Sequence, residues 1–525
     1  MEPIQAPTSA ATIMDDCYPG AAGGLYPFFV FSTSVNGIAI GNTPLGLGVG
    51  WREDLASTAE YFIAANDGSN RLYRSTTGYP SGSWSLIETN GPGIGGGERV
   101  QFIQVIQGSG AGRIFFSGDT SGGGGGIGTR LLNSGAVSTQ VDVTGKPPLV
   151  SHQSRLVCCS STKTSLRWTD PGGITLPAAN TLTPDPGGGA PTIVSLSSHS
   201  PSDLLVTYAS GAAVLVQGDI TDPLVRTLGR GPKTAYENAI VERMSDSTLV
   251  MPFYNLGPHR FNGETWVPFN TPTQMDAGQY TSFALAGGGF LQQNWATGSN
   301  GNRVTPQFKR YGNWLFTPFG FVYDERTQSW LHSTGLNTAW HYVDSFNALG
   351  ALDAVEAHNG ITFGGQAIGF DDYNNDAPFA GAGVSGSNGY LAFNRSSSYT
   401  WQSVPLRHPL GQLSSAREVE VFIQNNKPVT VASILAALPA GATLNIVVTV
   451  TVTVNGVSRS ATTNNTRPYE FLRFQFPRGV DRFSTVKVNV TSVTTSSSLL
   501  SGQPSAPPIE SIRVGFSEGK LQRPS

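Results

Sequence analysis

Val214-Leu215-Val216-Gln217-Gly218-Asp219 is a short apolar run that ends in polar, turn-forming residues. The same type of segment recurs along the chain, with its copies anchored at Arg74, Phe116, Trp168, Val216, Phe261, Tyr323 and Phe370. The anchors are 42 to 62 residues apart. Their mean spacing of about 49 is close to the ~40–50 residues of a four-stranded propeller blade. Because one such unit cannot bury both faces of its sheet alone, the repeats predict units stacked around an axis. We therefore expect residues 45–385 to form a β-propeller-like domain of six or seven blades.

The composition of the 525-residue chain also favours an all-β protein. It contains 64 Gly and 34 Pro, which helix interiors exclude. Only 13% of the residues are charged, roughly half the share usual in globular domains. Simple disorder is excluded as well, because 39% of the residues are hydrophobic and 10% aromatic.

The pattern of residues along the sequence changes after residue 385. Leu444 to Val454 (LNIVVTVTVTV) alternates Val with Thr and leads into Asn455-Gly456, a strong two-residue hairpin signal. We expect residues 386–525 to form a β-sandwich, and residues 1–44 to supply an N-terminal arm and a closing strand. An exposed strand such as Leu444 to Val454 is an aggregation hazard, which favours an edge covered by a neighbouring subunit.

Two further features belong to the predicted sandwich domain. Val429 to Leu438 is the best helix candidate in the chain, since Pro439 and Gly441 follow it. Ser492 to Pro508 is rich in Ser, Thr and Pro and is predicted to be an exposed loop.

Charge and cysteine usage exclude several classes of protein. The net charge of −3 provides no general attraction for nucleic acid or for an anionic membrane. Cys17 and the adjacent pair Cys158 and Cys159 do not form a disulfide framework, so we expect folding in a reducing cytoplasm. The N-terminus lacks a signal peptide, and no apolar run is long enough to span a bilayer, so no membrane insertion is expected.

A search for catalytic and metal-binding motifs finds little. Phosphate-binding loops, zinc motifs and nucleophile elbows are absent, and the seven histidines lack metal-ligand spacing. Asp372, Asn374 and Asp376 match the opening of a calcium loop, but Ala377 and Gly383 stand where an EF-hand needs Gly and Glu. A solvated acidic turn is the better interpretation, with another Ca²⁺ geometry as the alternative. We predict no catalytic residue, no cofactor and no metal site, and hence a protein that is not an enzyme.

The rival hypothesis is a carbohydrate-binding or carbohydrate-cleaving propeller, a lectin or a glycosidase. A glycosidase needs two carboxylates across a sugar. The candidates follow repeat strands and are Asp119, Asp170, Asp219 and Asp324. The simpler interpretation is that each aspartate hydrogen-bonds its own turn.

Tryptophans are the second feature relevant to carbohydrate. Those that follow a repeat are Trp84, Trp266 and Trp330, for which packing between blades is the favoured interpretation. Those that could contact a host glycan if exposed are Trp295, Trp340 and Trp401.

Several segments resemble a known family. In the central third they are Ser154-Arg155-Leu156-Val157, Leu166 to Pro171, Leu204 to Tyr208, Val214 to Asp219, Gly229 to Pro232, Val250 to Phe253 and Gly257 to Gly263. Elsewhere they are Pro3-Ile4-Gln5, Arg71 to Arg74 and Ile509 to Phe516. With these segments the chain resembles bacteriophage virion proteins, namely the packaged-DNA-stabilising tail hubs and nozzles and related propeller-bearing minor tail proteins. The resemblance extends loosely over most of the chain.

The resemblance implies a structural role without catalytic residues. It implies a ring, commonly of six copies, that forms part of the tail wall or tip and holds or passes the genome during ejection. The expected partners are other copies of the chain and neighbouring tail, portal or adaptor proteins. Transient contact with phage DNA in a lumen and contact with a host glycan are further expectations. The expected location is the virion tail, after synthesis in the bacterial host cytoplasm.

Overall fold

A computed structural model of the protein describes most of the chain in short segments. The described residues are 4–5, 11–20, 24–32, 43–54, 59–66, 69–75, 85–94, 100–106, 112–118, 126–132, 137–187, 191–231, 241–253, 257–269, 309–311, 313–316, 321–332, 340–342, 368–371, 388–407, 415–424, 446–463, 469–479, 481, 483–494 and 506–516. Every regular element in them is a β-strand, so within these ranges the protein is all-β, as predicted. No helix that could cross a membrane is found in these ranges. The predicted helix Val429 to Leu438 lies outside the described residues.

The strands are numbered in chain order. The N-terminal strands are β1 (Ile4–Gln5), β2 (Ala11–Asp15), β3 (Cys17–Pro19), β4 (Leu25–Pro27) and β5 (Phe29–Ser32). Sheet 1 contains β6 (Thr43–Trp51), β7 (Ala59–Asn66), β8 (Asn70–Ser75) and β9 (Ser85–Thr89). Sheet 2 contains β10 (Val100–Val105), β11 (Arg113–Gly118), β12 (Ile127–Leu131) and β13 (Thr139–Asp142). Sheet 3 contains β14 (Lys146–His152), β15 (Arg155–Cys159), β16 (Leu166–Trp168) and β17 (Thr181–Leu182).

The numbering continues through the middle of the chain. Sheet 4 contains β18 (Ile193–Ser198), β19 (Asp203–Tyr208), β20 (Ala212–Gln217) and β21 (Leu224–Arg230). Sheet 5 contains β22 (Glu242–Arg243), β23 (Leu249–Phe253), β24 (Gly257–Phe261) and β25 (Trp266–Pro268). The next strands are β26 (Lys309–Tyr311), β27 (Trp314–Phe316), β28 (Phe321–Asp324), β29 (Ser329–His332), β30 (Trp340–Tyr342), β31 (Ile368–Asp371) and β32 (Asn388–Arg395).

The last strands belong to the C-terminal segment. They are β33 (Ser398–Ser403), β34 (Ala416–Gln424), β35 (Ile446–Val454), β36 (Val457–Thr463), β37 (Tyr469–Gln475), β38 (Val486–Thr494) and β39 (Ile509–Phe516).

The chain divides into two units. Unit 1 comprises Met1–Val30, Gly320–Leu336 and Ala392–Ser525, and unit 2 comprises Phe31–Phe319 and Asn337–Leu391. Sequence analysis placed contiguous domains at 1–44, 45–385 and 386–525. The units are discontinuous because N-terminal strands pair with C-terminal ones, as when Ile4 lies opposite Val514.

Sheets 1 to 5 of unit 2 are antiparallel meanders in which neighbours in sequence are neighbours in the sheet. A further four-stranded sheet has the order β30-β31-β32-β5. The N-terminal strand β5 thus completes a sheet made otherwise of much later strands, which is the pairing of a closing strand.

The four-stranded sheets stack face to face in chain order. Sheet 2 packs Phe102 and Phe116 against Phe62 and Leu72 of sheet 1, and its Phe115 belongs to the next core, shared with sheet 3. Two further core clusters follow the same rule, one between sheets 3 and 4 and one between sheets 4 and 5. Because both faces of a middle sheet are buried, its strands are apolar almost without alternation, as in Leu204 to Tyr208, whose five side chains are all buried. This stacking is consistent with propeller blades.

The adjacent cysteines illustrate the two-sided burial. Cys158 lies in the core between sheets 2 and 3, whereas Cys159 lies in the core between sheets 3 and 4. Both are fully buried, and all three cysteines of the chain are free thiols. The prediction that they form no disulfide framework is confirmed.

Glutamine side chains connect the first strands of consecutive sheets. Gln104 on β10 accepts from the backbone N–H of Trp51 at 2.8 Å and donates to its carbonyl at 2.5 Å. Gln101 on the same strand donates to the carbonyl of Leu149 on β14 at 3.0 Å and accepts from its N–H at 2.8 Å. Side-chain amides therefore join the first strands of sheets 1, 2 and 3. Each amide donates one hydrogen bond and accepts one, as backbone groups do between paired strands.

We expect Gln104→Met to lower the free energy of unfolding by about 2 kcal/mol, because it leaves one partly buried backbone donor and one acceptor without a partner. Hydrogen exchange of the β6 and β10 peptides measures the change. Gln140→Met is the control: Gln140 donates to two backbone carbonyls, but it is exposed and water can replace it. Equal effects of the two substitutions would contradict the proposed role of Gln104.

Unit 1 contains two mainly antiparallel sheets. Sheet A has the order β3-β4-β39-β34-β37, with β1 also on β39. Sheet B has within unit 1 the order β28-β29-β2-β33-β38-β35-β36, in which β2 and β29 are parallel, with Asp15 opposite His332. Val448, Val450 and Val452 are buried and alternate with half-buried threonines, so each sheet has one core face and one outer face.

The Asn455-Gly456 hairpin prediction is confirmed. Val454 pairs with Val457, and the two turn residues have φ of 47° and 86°. Positive φ at both positions defines a type I′ turn, which matches the twist of the flanking strands.

Candidate functional surfaces

Two of the aspartates considered for glycosidase chemistry, Asp219 and Asp324, hold their own turns. Asp219 accepts hydrogen bonds from the backbone N–H and the hydroxyl of Thr221, at 3.0 and 2.9 Å. Asp324 accepts from the backbone N–H of Arg326 at 3.0 Å and forms a bidentate ion pair with its guanidinium. Asp170 accepts from the side-chain amide of Asn180 at 2.9 Å. The turn interpretation is confirmed for Asp219 and Asp324, while Asp119 lies outside the described residues.

The electrostatics of Asp219 do not suit a general acid. The hydrogen bonds from Thr221 lower the pKa of this carboxyl, with a smaller contribution from Arg155. A glycosidase acid needs a raised pKa so that it still carries its proton near neutral pH. Asp219 therefore stays ionised and acts as a turn acceptor.

Polar side chains join the first strands of sheets 3, 4 and 5. Nδ1 of His152, at the end of β14, lies 3.0 Å from the hydroxyl of Ser198, at the end of β18. Arg243 on β22 donates to the carbonyls of Ser198 and His199. Burial lowers the pKa of His152, so the imidazole is neutral at neutral pH. This chain of contacts links neighbouring sheets and presents no pair of carboxylates.

The tryptophans are mainly structural. Trp266 is 2% exposed and packs with Leu205 and Phe261 between sheets 4 and 5, which confirms the interpretation as packing between sheets. Trp401 on β33 is 0% exposed, so the expectation that it could contact a glycan is wrong. It occupies an inward position of an alternating strand, whose outward neighbours are Thr400 and Gln402. Trp330 is half-buried. Trp84, Trp295 and the side chain of Trp340 lie outside the described residues.

The described residues contain no candidate metal centre and no reactive thiol. Within the described ranges no group of three His, Cys, Asp or Glu side chains could hold a metal ion. Asp372, Asn374 and Asp376 lie outside those ranges, so the calcium-loop hypothesis stays a prediction. Burial raises the pKa of the Cys17 and Cys158 thiols well above its ordinary value, which suppresses the nucleophilic thiolate.

Among the described residues, β36 is an edge strand of sheet B. The LNIVVTVTVTV segment is an aggregation hazard only if it is unpaired, and β35 pairs with β36 on one side and with β38 on the other. The hairpin transfers the edge to β36, which in the described part of the chain has a strand neighbour on one side only. Six of its seven residues are exposed or half-buried.

The geometry of the hairpin determines which backbone groups of β36 point outward. In a two-residue hairpin the pair that flanks the turn, Val454 and Val457, is hydrogen-bonded, and the pairs then alternate. Ser458, Ser460 and Thr462 are thus in non-hydrogen-bonded pairs, so their N–H and C=O groups point away from β35. The hydroxyls of Thr451 and Ser460 approach to 2.9 Å, as expected for the closer side chains of such pairs.

An aromatic strip lies on the outer face of sheet A. It comprises Phe422 on β34 and Tyr469, Phe471 and Arg473 on β37. Tyr469 is 49% and Phe471 48% exposed. The sequence analysis missed this strip, although the alternation Tyr469-x-Phe471-x-Arg473 next to buried Phe474 is its signal. Sequence alone does not show which face of a strand is left uncovered.

No protein-family model and no curated protein sequence matches the chain. Among solved structures, it is similar to Kluyveromyces lactis Hsv2, with 14% identity and a TM-score of 0.26, over 39% of this chain and 68% of that one. A second structure, of Kluyveromyces lactis Hsv2 complete loop 6CD, gives 14% identity and a TM-score of 0.27, over 43% of this chain and 71% of that one. Similarity at this level assigns neither fold nor function.

Proposed function

We propose that the protein is a structural component of a bacteriophage tail, a hub, nozzle or minor tail protein that assembles with further copies of itself and with neighbouring tail proteins. In this proposal unit 2 is a propeller of six or seven blades and unit 1 contains a β-sandwich. The protein acts by shape, as part of the tail wall or tip that holds and passes the genome. It performs no bond-breaking step.

The observation that carries the proposal is the open edge at β36. Outward N–H and C=O groups at Ser458, Ser460 and Thr462 form a template to which another chain can add a strand. Arg459 is the only charged residue of β36, so the edge has little of the charge that usually keeps strands apart.

Apolar side chains on outer strands support an assembled state. Leu86 on β9 is 47% exposed and Leu224 on β21 is 68% exposed. Val137 and Val143 flank β13 and are 73% and 72% exposed. Leu86 and Leu224 lie on the last strand of a four-stranded sheet, and Val137 and Val143 lie next to one, where a neighbouring subunit would remove them from water.

We expect Ser460→Pro to prevent assembly, because proline removes the outward N–H at the centre of the edge. Mass photometry of the purified chain, alone and with the other tail proteins, measures the effect. Ser460→Ala is the matched control: it removes the hydroxyl, keeps the N–H and should assemble like the wild type. A wild-type chain that stays monomeric under all these conditions would contradict the proposal.

A further inference from the structure

The aromatic strip has the arrangement of a ligand platform. Alternate residues of a strand share a face and are about 7 Å apart, so Tyr469 and Phe471 present neighbouring rings on the outer face of β37. Phe422 lies directly opposite Phe471 in the register. Its ring is parallel to that of Tyr469, with an interplanar angle of 2° and centroids 5.6 Å apart. The rings are therefore fixed against one another while much of their surface faces water.

A fixed polar group lies beside the rings. Nε of Arg473 is 2.7 Å from Glu418, and its Nη2 donates to Glu420 at 2.8 Å. The guanidinium is 5.9 Å from the centroid of the Phe471 ring. Because the Arg473 side chain is 58% exposed, its remaining N–H groups can donate to a ligand without losing either carboxylate.

The charges of this face are balanced. Glu420 lies between Arg473 on one neighbouring strand and Arg513 on the other. With Glu418, the described residues named here place two acidic and two basic groups around the strip. A polyanion such as a nucleic acid or a phosphate-rich lipid surface is therefore not attracted, whereas a neutral ligand needs no compensation of charge.

We propose that the aromatic strip binds a neutral glycan. A pyranose presents an apolar C–H face that stacks on an aromatic ring, and its hydroxyls accept from a guanidinium and donate to a carboxylate. Tyr469 and Phe471 supply the stacking surface, and Arg473 and Glu418 supply the polar partners. The inference uses the strip alone and does not depend on ring assembly through β36.

The test uses the full chain and saturation-transfer NMR with maltohexaose, cellohexaose, a galactomannan hexasaccharide and a neutral rhamnan fragment, followed by calorimetry of any that binds. We expect at least one of these oligosaccharides to bind. Tyr469→Ala and Phe471→Ala should each lower the affinity for it about tenfold or more, as for other central aromatic anchors. Phe483→Ala is the matched control, because Phe483 is 47% exposed but lies outside β34 and β37. It should bind like the wild type.

Several outcomes would overturn the proposal. One is the absence of binding to all four oligosaccharides, and another is binding that survives both strip substitutions. If Tyr469→Ala and Phe471→Ala instead dissociate an oligomer in mass photometry, the strip is an interface between copies. Ser460→Pro separates this proposal from the proposed function, because it should abolish assembly and leave glycan binding unchanged.

Discussion

Trp401→Ala is expected to lower the stability of unit 1 by about 3–5 kcal/mol, the usual effect of removing a large aromatic side chain from a core. Trp401 is 0% exposed and lies next to another buried aromatic position on the same strand, Tyr399. Hydrogen exchange of the β33 and β38 peptides is the suitable measurement, because a chain with two units need not unfold in a single transition. Sheets 1 to 5 of unit 2 should exchange as in the wild type.

Trp401→Phe provides the control for this experiment. It keeps an aromatic ring in the same pocket and should lose markedly less stability than the alanine variant. An alanine variant that exchanges like the wild type would show that the indole is not part of the core. The assignment of Trp401 as a packing residue would then fail.

Gly126→Ala is expected to lower the stability of sheet 2 by about 3 kcal/mol or more, from backbone strain combined with overpacking. Gly126 has φ of +86°, and a Cβ there would collide with the backbone of Asp142 and Val143. The neighbouring chain cannot move aside easily, because these are backbone atoms at the end of β13.

Gly218→Ala separates the contribution of backbone strain from that of overpacking. Gly218 has φ of +85°, but a Cβ there meets nothing within 4 Å. It should therefore show only the strain of about 1–2 kcal/mol. Hydrogen exchange of the β12 and β20 peptides gives both values. Equal losses at the two positions would contradict the steric argument for Gly126.

The repeats in the sequence predicted the four-stranded sheets but not their phase. Arg74, Trp168 and Val216 all lie on the third strand of their sheets, whereas Phe116 lies on the second. Since the second and third strands of a meander carry similar apolar runs, a pattern of residues does not distinguish them. This difference in strand position accounts in part for the uneven spacing of the anchors.

Topology accounts for most of what the sequence did not reveal. Alternation in β35 correctly indicated a strand with one buried face, but it contains no information about whether a partner lies on each side. Trp401 was considered as a glycan contact if exposed, and the alternation of Tyr399 and Trp401 with Thr400 and Gln402 does not show by itself which face of the strand is buried. Asp219 and Asp324 were interpreted correctly because an aspartate that bonds a backbone N–H two residues later is a local event.

The pairing of β5 with β32 sets an order of events during synthesis. β5 ends at Ser32 and β32 begins only at Asn388, so β5 leaves the ribosome about 350 residues before its partner strand. Since domains form while the chain emerges, β5 must wait without this partner until β32 has been made. A truncated product that ends before β32 would carry an orphan N-terminal strand. Quality control in the producing cell could therefore recognise incomplete chains by the unpaired strand β5 rather than by the point at which synthesis stopped.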